Sequence, residues 1–156
     1  MMLAPAVLSL GSNVGDRLAH LRLAVDELAP YALSSVWETA PVGGVEQDDF
    51  LNAVVLCRLD ATTAWSRSQA AELRAGRQRT VRWGPRTLDV DVVLAEGAVP
   101  DGLLLPHPRA HERAFFLAPW LELAPAAQLP GRGAVADLLA ALDVSSVVRR
   151  PDLRLS

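Results

Sequence analysis

Asp89 and Asp91 stand two residues apart in the run Thr87-Leu88-Asp89-Val90-Asp91-Val92-Val93-Leu94. Side chains on a strand alternate between faces, so both carboxylates project the same way, roughly 6.5–7 Å apart at Cα. Two carboxylates at that spacing can converge on hard cations, including a pair of Mg²⁺ ions about 3.5–4 Å apart. Leu88, Val90, Val92 and Leu94 alternate with them and make the opposite face apolar. Spacing alone also describes an amphipathic strand with one wet face.

The segment before the pair adds chemistry. Arg74, Arg77, Arg79, Arg82 and Arg86 fall within 13 residues, with no acid after Glu72. Guanidinium forks match phosphate oxygens, and carboxylates match Mg²⁺. A basic loop beside an acidic pair suits metal-bound polyphosphate, because each component offsets the other's repulsion. Trp83, in Trp83-Gly84-Pro85, either offers an exposed ring that can stack on a flat heterocycle or folds back onto the sheet. Gly76 and Gly84 bracket the segment as hinges for a closing lid. Phe50 and Asn52 share one strand face, and an aromatic ring beside an amide suits a pterin or a purine. A lone His between prolines is most often structural, and His107 with Arg113 gains weight only as a further phosphate donor. Three scattered His and one Cys in an apolar run argue against a zinc site.

The whole chain bounds these readings. Its 156 residues correspond to one domain, 1–156. Hydrophobic residues make up 51% and charged residues 21%, a globular composition. All 15 basic residues are Arg. The absence of Lys excludes a P-loop lysine and Schiff-base chemistry. A net charge of −3 argues against a polycationic nucleic-acid binder. A single Cys excludes an intramolecular disulfide. No apolar run is long enough to span a membrane, and the N-terminus lacks the basic region of a signal peptide, so a cytoplasmic protein is expected.

The elements that must position these residues follow from periodicity. An apolar run over 6–10 ends in Gly11-Ser12-Asn13 and reads as a strand. Ser12-Asn13-Val14-Gly15-Asp16 then reads as a strand-to-helix turn with Asp16 near the cap. Leu18, Leu21, Val25 and Leu28 recur at helical spacing over 16–28, and Pro30 stops that helix. Strands are expected over 33–39, 50–59 and 87–94, with a loop over 41–49. A second helix is expected over 62–75, N-capped by Asp60 and closed by Gly76. Short helical pieces follow over 110–123 and 135–142. The order β-α-β-β-α-β is the ferredoxin-like α+β pattern. It predicts a mainly antiparallel sheet with both long helices on one face and C-terminal helical additions covering part of the other.

On residues alone three functions compete: transfer from a metal-bound nucleotide, a Mg²⁺-dependent nuclease, and a non-catalytic RNA-binding module. RNA-reading sheets of this fold carry strand aromatics, and aromatic residues here total only 5%.

Taken together, the motifs resemble the 6-hydroxymethyl-7,8-dihydropterin pyrophosphokinase family. The resemblance rests on Arg-Trp-Gly-Pro-Arg-Thr-Leu-Asp-Val-Asp-Val-Val over 82–93. It is supported by Leu-Ser-Leu-Gly-Ser-Asn-Val-Gly-Asp over 8–16, Thr-Ala-Pro-Val-Gly-Gly over 39–44, Phe-Leu-Asn-Ala over 50–53, and Leu-Pro-His-Pro with Arg-Ala-Phe-Phe between 105 and 116. It implies a ferredoxin-like fold and transfer of pyrophosphate from ATP to the pterin hydroxymethyl group, in folate biosynthesis, with AMP released. By this resemblance Asp89 and Asp91 would bind two Mg²⁺, and Arg77 and Arg86 would be catalytic-loop arginines that also contact the nucleotide. Asn52 would read the pterin edge, with Phe50, Trp83 and Phe115 against its ring and Thr39 and Val42 completing the pocket. Gln69, Glu72, His107 and Arg113 would lie on the nucleotide side. The partners implied are small molecules, with no nucleic acid and no membrane, and a monomer is expected.

Overall fold

The computed structural model describes residues 3–40, 47–76 and 87–156. In chain order these form β1 (Ala6–Ser12), α1 (Arg17–Leu28), β2 (Ala32–Leu33), β3 (Val36–Thr39), β4 (Phe50–Cys57), α2 (Ala61–Arg74) and β5 (Asp89–Leu94). A 3-10 turn (Ala110–Glu112), α3 (Ala114–Leu123), β6 (Gln128–Leu129), β7 (Gly133–Ala134), α4 (Val135–Ala140) and β8 (Val147–Arg150) follow.

The main sheet has the order β5-β1-β4-β3-β8, with β2 pairing β4 beside β3. Every pairing in this sheet is antiparallel. The first four strands of that path reproduce the ferredoxin-like arrangement expected from the element order. β8 was not expected. It adds an edge strand beside β3, with Thr39 opposite Val147 and Val36 opposite Arg150.

Both long helices have the caps their sequences predict. Asp16 accepts from the Ala19 N–H at 3.1 Å, and Asp60 accepts from the Thr63 N–H at 2.8 Å. The end of α2 differs by one position. Ala75 is the cap, and Gly76 follows it with φ +70°, the left-handed conformation glycine adopts without a Cβ penalty. The single strand expected over 33–39 is interrupted at Ser34-Ser35. There the Ser34 hydroxyl accepts from the Val54 N–H at 2.9 Å and donates to the Ser35 carbonyl at 2.7 Å. A side chain thus occupies the ladder, dividing the strand into β2 and β3.

Alternation along the strands sends two sets of residues to opposite faces. Leu8, Leu10, Val55, Val90 and Val92 pack with Leu21, Ala24 and Leu28 of α1 and Ala64 and Ala71 of α2. On the other face, Val7, Val54, Leu56 and Val93 pack under Phe116, Leu117 and Trp120 of α3 and Val135 of α4. Leu94 departs from its expected face. A register shift between Val7 and Leu8 sets Leu94 opposite Val7, and it packs with the α3 cluster. Among the described residues no helix is long and apolar enough to cross a membrane.

Candidate active site

The face under α3 and α4 is covered along only part of its length. Beyond Val7, Val54 and Val93, the same strands continue with Ser9 and Gly11 of β1, Asn52 and Phe50 of β4, and Asp91 and Asp89 of β5. In register, Asp91 lies opposite Ser9, Asp89 opposite Gly11, and Gly11 opposite Asn52. These residues floor an open cavity of about 440 Å³, within the range of small-molecule sites. Thr39 and Ala40 close one side. His107, Arg109, Glu112, Arg113 and Phe115 form the opposite wall, and Asp143, Ser146 and Val147 form a lip before β8.

Asn52 is buried, yet its amide faces this floor. Its Nδ2 donates to Thr39 Oγ1 at 2.6 Å, which fixes the orientation of the group. A Cβ on Gly11 would stand 3.0 Å from Asn52 Oδ1 and 3.5 Å from Phe50 Cδ1. Glycine therefore leaves the floor open where the amide and ring lie. Phe115 is partly buried on the wall, with the Arg113 guanidinium carbon 5.6 Å from its ring centre.

Arg113 Nη1 also donates to Asp91 Oδ2 at 3.4 Å, so a cation and a carboxylate from different elements meet in the cleft. His107 lies beside them. Its backbone N–H donates to the Val93 carbonyl at 3.0 Å, tying the proline-flanked segment to β5. Its Nδ1 accepts from the Arg109 N–H at 3.2 Å, so the neutral ring carries its proton on Nε2. Burial first, then nearby Arg113, holds the imidazole pKa below the ordinary histidine value, partly opposed by Asp89. The ring is therefore a neutral donor at pH 7.

Of the residues singled out from the sequence, Thr39, Phe50, Asn52, Asp89, Asp91, His107, Arg113 and Phe115 converge on this cleft. Gln69 and Glu72 are not among its lining residues. Gln69 is exposed on α2. Glu72 accepts from the Val90 N–H at 2.9 Å, securing α2 to β5. Arg74, counted above with the cationic segment, instead donates to Glu27 at 2.8 Å and to Asp26 at 3.3 Å, on α1. Val42, Arg77, Trp83 and Arg86, together with Arg79, Arg82 and Gly84, lie outside the described residues.

The sequence reading did not single out Gly11, Arg109, Glu112 or Asp143 for the site. The alternation rule carried one strand further would have placed Gly11 beside Asn52. Asp143 had no local signal, because pairing of β8 with β3 brings its segment to the cleft.

The donor set fits a hard cation supplied with a polyanion. Among the described lining residues are four carboxylates, Asp89, Asp91, Glu112 and Asp143, and two guanidiniums, Arg109 and Arg113. No group of three or more His, Cys, Asp or Glu able to hold a metal occurs among the described residues. Two carboxylates with open space before them match Mg²⁺, which is usually held by one or two carboxylates plus substrate phosphates and waters. Cys57 is buried in β4, and burial pushes its thiol up to about 11, so it is no thiolate nucleophile at neutral pH.

Comparison with known proteins gives the family. Residues 7–125 match the family described as 7,8-dihydro-6-hydroxymethylpterin-pyrophosphokinase. The chain is 50% identical over 144 residues to the 2-amino-4-hydroxy-6-hydroxymethyldihydropteridine pyrophosphokinase of Mycobacterium leprae, covering 81% of this chain and 75% of that protein. It is 43% identical to the Bacillus subtilis enzyme of that name over 128 residues, covering 76% and 77% of the two chains. It is 41% identical to that of Methylorubrum extorquens over 154 residues, covering 92% and 97%. The chain therefore belongs to the 7,8-dihydro-6-hydroxymethylpterin-pyrophosphokinase family.

Proposed function

We propose that this chain transfers pyrophosphate from ATP to the hydroxymethyl group of 6-hydroxymethyl-7,8-dihydropterin, releasing AMP and the pterin diphosphate for folate biosynthesis. Family membership supports the reaction. The observation that carries the assignment of the site is the cleft itself, where Asp89 and Asp91 share a floor with Asn52 and Phe50. A polyphosphate end and a heterocycle end are thereby brought together.

At the heterocycle end, Asn52, held by Thr39, presents an amide of fixed direction to the pterin edge. Phe50 and Phe115 bound its ring, with Val42 and Trp83 as further pterin contacts. At the phosphate end, Asp89 and Asp91 would hold Mg²⁺, two ions being expected. Bound there, Mg²⁺ supplies charge neutralisation and lowers the cost of an alkoxide. Arg113 and the Nε2 proton of His107 bind phosphate oxygens, and Gln69 and Glu72 remain proposed nucleotide-side residues. Arg77 and Arg86 offset charge on the transferred and leaving phosphates. The pterin hydroxyl attacks the β-phosphorus in line and gives up its proton to solvent water, the bond from that phosphorus to the α-phosphate oxygen breaks, and AMP departs. The chain's share of catalysis is positioning and charge stabilisation.

The domain is taken as 1–156, working as a cytoplasmic monomer on small molecules, with neither nucleic acid nor membrane as a partner. Gel filtration tests the oligomeric state. The function is tested by incubating the protein with ATP, Mg²⁺ and the pterin. Formation of AMP with pterin diphosphate is expected. ADP as the nucleotide product, or no pterin-dependent turnover, would overturn the proposal.

A further inference from the structure

The turn between β1 and α1 contains a buried polar residue that no step above uses. Asn13 is only 2% exposed. Its Nδ2 donates to Gln47 Oε1 at 2.7 Å and to the Asp48 carbonyl at 3.0 Å. One turn further, Arg17 Nη1 donates to the Asp49 carbonyl at 2.9 Å and to Glu38 Oε2 at 2.8 Å. The ladder between β1 and β4 ends at Ser12 opposite Leu51. Past that point two side chains take over from the backbone and hold successive carbonyls just before Phe50.

Phe50 is the residue this arrangement must place. It is only partly buried, lies on the cleft floor, and sits two residues before Asn52 on the same strand. Packing alone therefore fixes it incompletely, and the direction of the chain entering β4 determines where its ring stands. Glu38 links this entry to the other edge of the pocket. It neighbours Thr39 on β3, and its second oxygen accepts from Arg150 of β8 at 2.7 Å. The Arg17 and Arg150 guanidiniums hold the Glu38 carboxyl below its usual range, consistent with a persistent anion at this junction.

We propose that Asn13 and Arg17 are positioning residues for the pterin, acting through residues 47–49 on Phe50 and Asn52, and that their effect is confined to that substrate. The inference rests on the pterin assignment made above. The asymmetry follows from topology: the clamp grips the entry to β4, whereas Asp89, Asp91, His107 and Arg113 lie on β5 and the segment after it.

The test measures pterin affinity by calorimetry with a non-hydrolysable ATP analogue and Mg²⁺ present, nucleotide affinity separately, and thermal stability alongside. Asn13→Ala is expected to weaken pterin binding at least tenfold and to change nucleotide binding less than twofold. In turnover, KM for the pterin should rise while KM for ATP stays unchanged. Arg17→Lys should retain more pterin affinity than Arg17→Met. Gln47→Ala, which removes one hydrogen bond of the clamp, should weaken pterin binding about threefold and decides the matter if Asn13→Ala fails to fold. Unchanged pterin affinity in a folded Asn13→Ala or Gln47→Ala variant, or equal loss of both ligands, would overturn the inference. An unaltered protein that binds the pterin but forms no AMP would instead sink the reaction assignment, leaving the clamp testable by binding.

Discussion

One face of the sheet is put to two uses. Toward one end, Val7, Val54, Leu56 and Val93 lie beneath α3 and α4. Toward the other, the same strands carry Ser9, Gly11, Asn52, Asp89 and Asp91 under an open cleft. The ladder between β1 and β4 runs unbroken through both halves and holds them in one frame. Side-chain solvation makes the difference. A helix laid over Asp89 and Asp91 would strip two carboxylates of water without supplying matching donors, at a cost of several kcal/mol each. The covered half gives the fold its second core, and the open half receives the rigidity that core provides.

The sharpest way to break the comparison is to exchange roles between adjacent residues. Phe116 is fully buried in the covered half, and Phe115 lines the cleft. Phe116→Ala should cost about 3–5 kcal/mol of stability by leaving a cavity, measured by urea unfolding. Phe115→Ala should cost less than about half of that, since its ring is only partly enclosed, and its main loss should be in pterin affinity. Equal destabilisation by the two would mean that the cleft wall belongs to the core.

Next in size are the carboxylates. Asp89→Asn and Asp91→Asn should each leave the protein folded with a loss of no more than about 1 kcal/mol, because a partly exposed pair such as Asp91 with Arg113 contributes little. Each should lower turnover at least about 10²-fold, equivalent to roughly 3 kcal/mol, because Asn lacks the charge a hard cation requires. The double variant should lose less than the product of the single losses, since both would serve one cluster. Near-normal AMP formation by either folded variant would reduce the pair to a wet strand face.

A smaller effect is expected at the floor. Asn52→Ala should weaken pterin binding at least about tenfold, or about 1.4 kcal/mol, with nucleotide binding almost unchanged. Gly11→Ala should weaken it by a fewfold, because the added methyl presses on Asn52 Oδ1 at 3.0 Å. Ligand titration of the two variants checks both, and equal loss of pterin and nucleotide would move Asn52 out of the pterin pocket.

What the sequence revealed divides along the same line. The Asp pair, Asn52 with Phe50, and the helix caps at Asp16 and Asp60 were legible because each depends on local spacing. The open half could be anticipated because alternation along single strands writes its residues in order. The wall and lip were harder to read. Arg109 enters the cleft in the segment just before α3, and Asp143 only after the chain has crossed the covered half on its way into β8. The four residues of β8, Val-Val-Arg-Arg, are too short a pattern to indicate a strand. Arg74 shows the opposite failure. Composition grouped it with the cationic segment, while its partners, the acids of α1, are contacts that spacing does not encode.

The smallest expected effect separates the halves by pH. His107 stands at their boundary, its backbone bonded to Val93 and its ring lining the cleft. Burial and the neighbouring Arg113 and Arg109 disfavour its cation more than Asp89 favours it, so its folded pKa lies below the unfolded value of 6.5. Below that pH the unfolded chain takes up a proton that the folded chain resists. The sign is therefore fixed: His107 costs nothing above the unfolded pKa, and stability falls as pH drops from there toward the folded pKa, then levels off. His107→Gln cannot titrate, so the unaltered protein should lose more stability than the variant between pH 7 and pH 5, measured by urea unfolding at each pH. Carboxylates common to both proteins cancel in that difference. A difference that stays flat, or that reverses sign, would mean that the charged imidazole is accommodated in the cleft, and His107 would then meet phosphate as a cation rather than as a neutral Nε2–H donor.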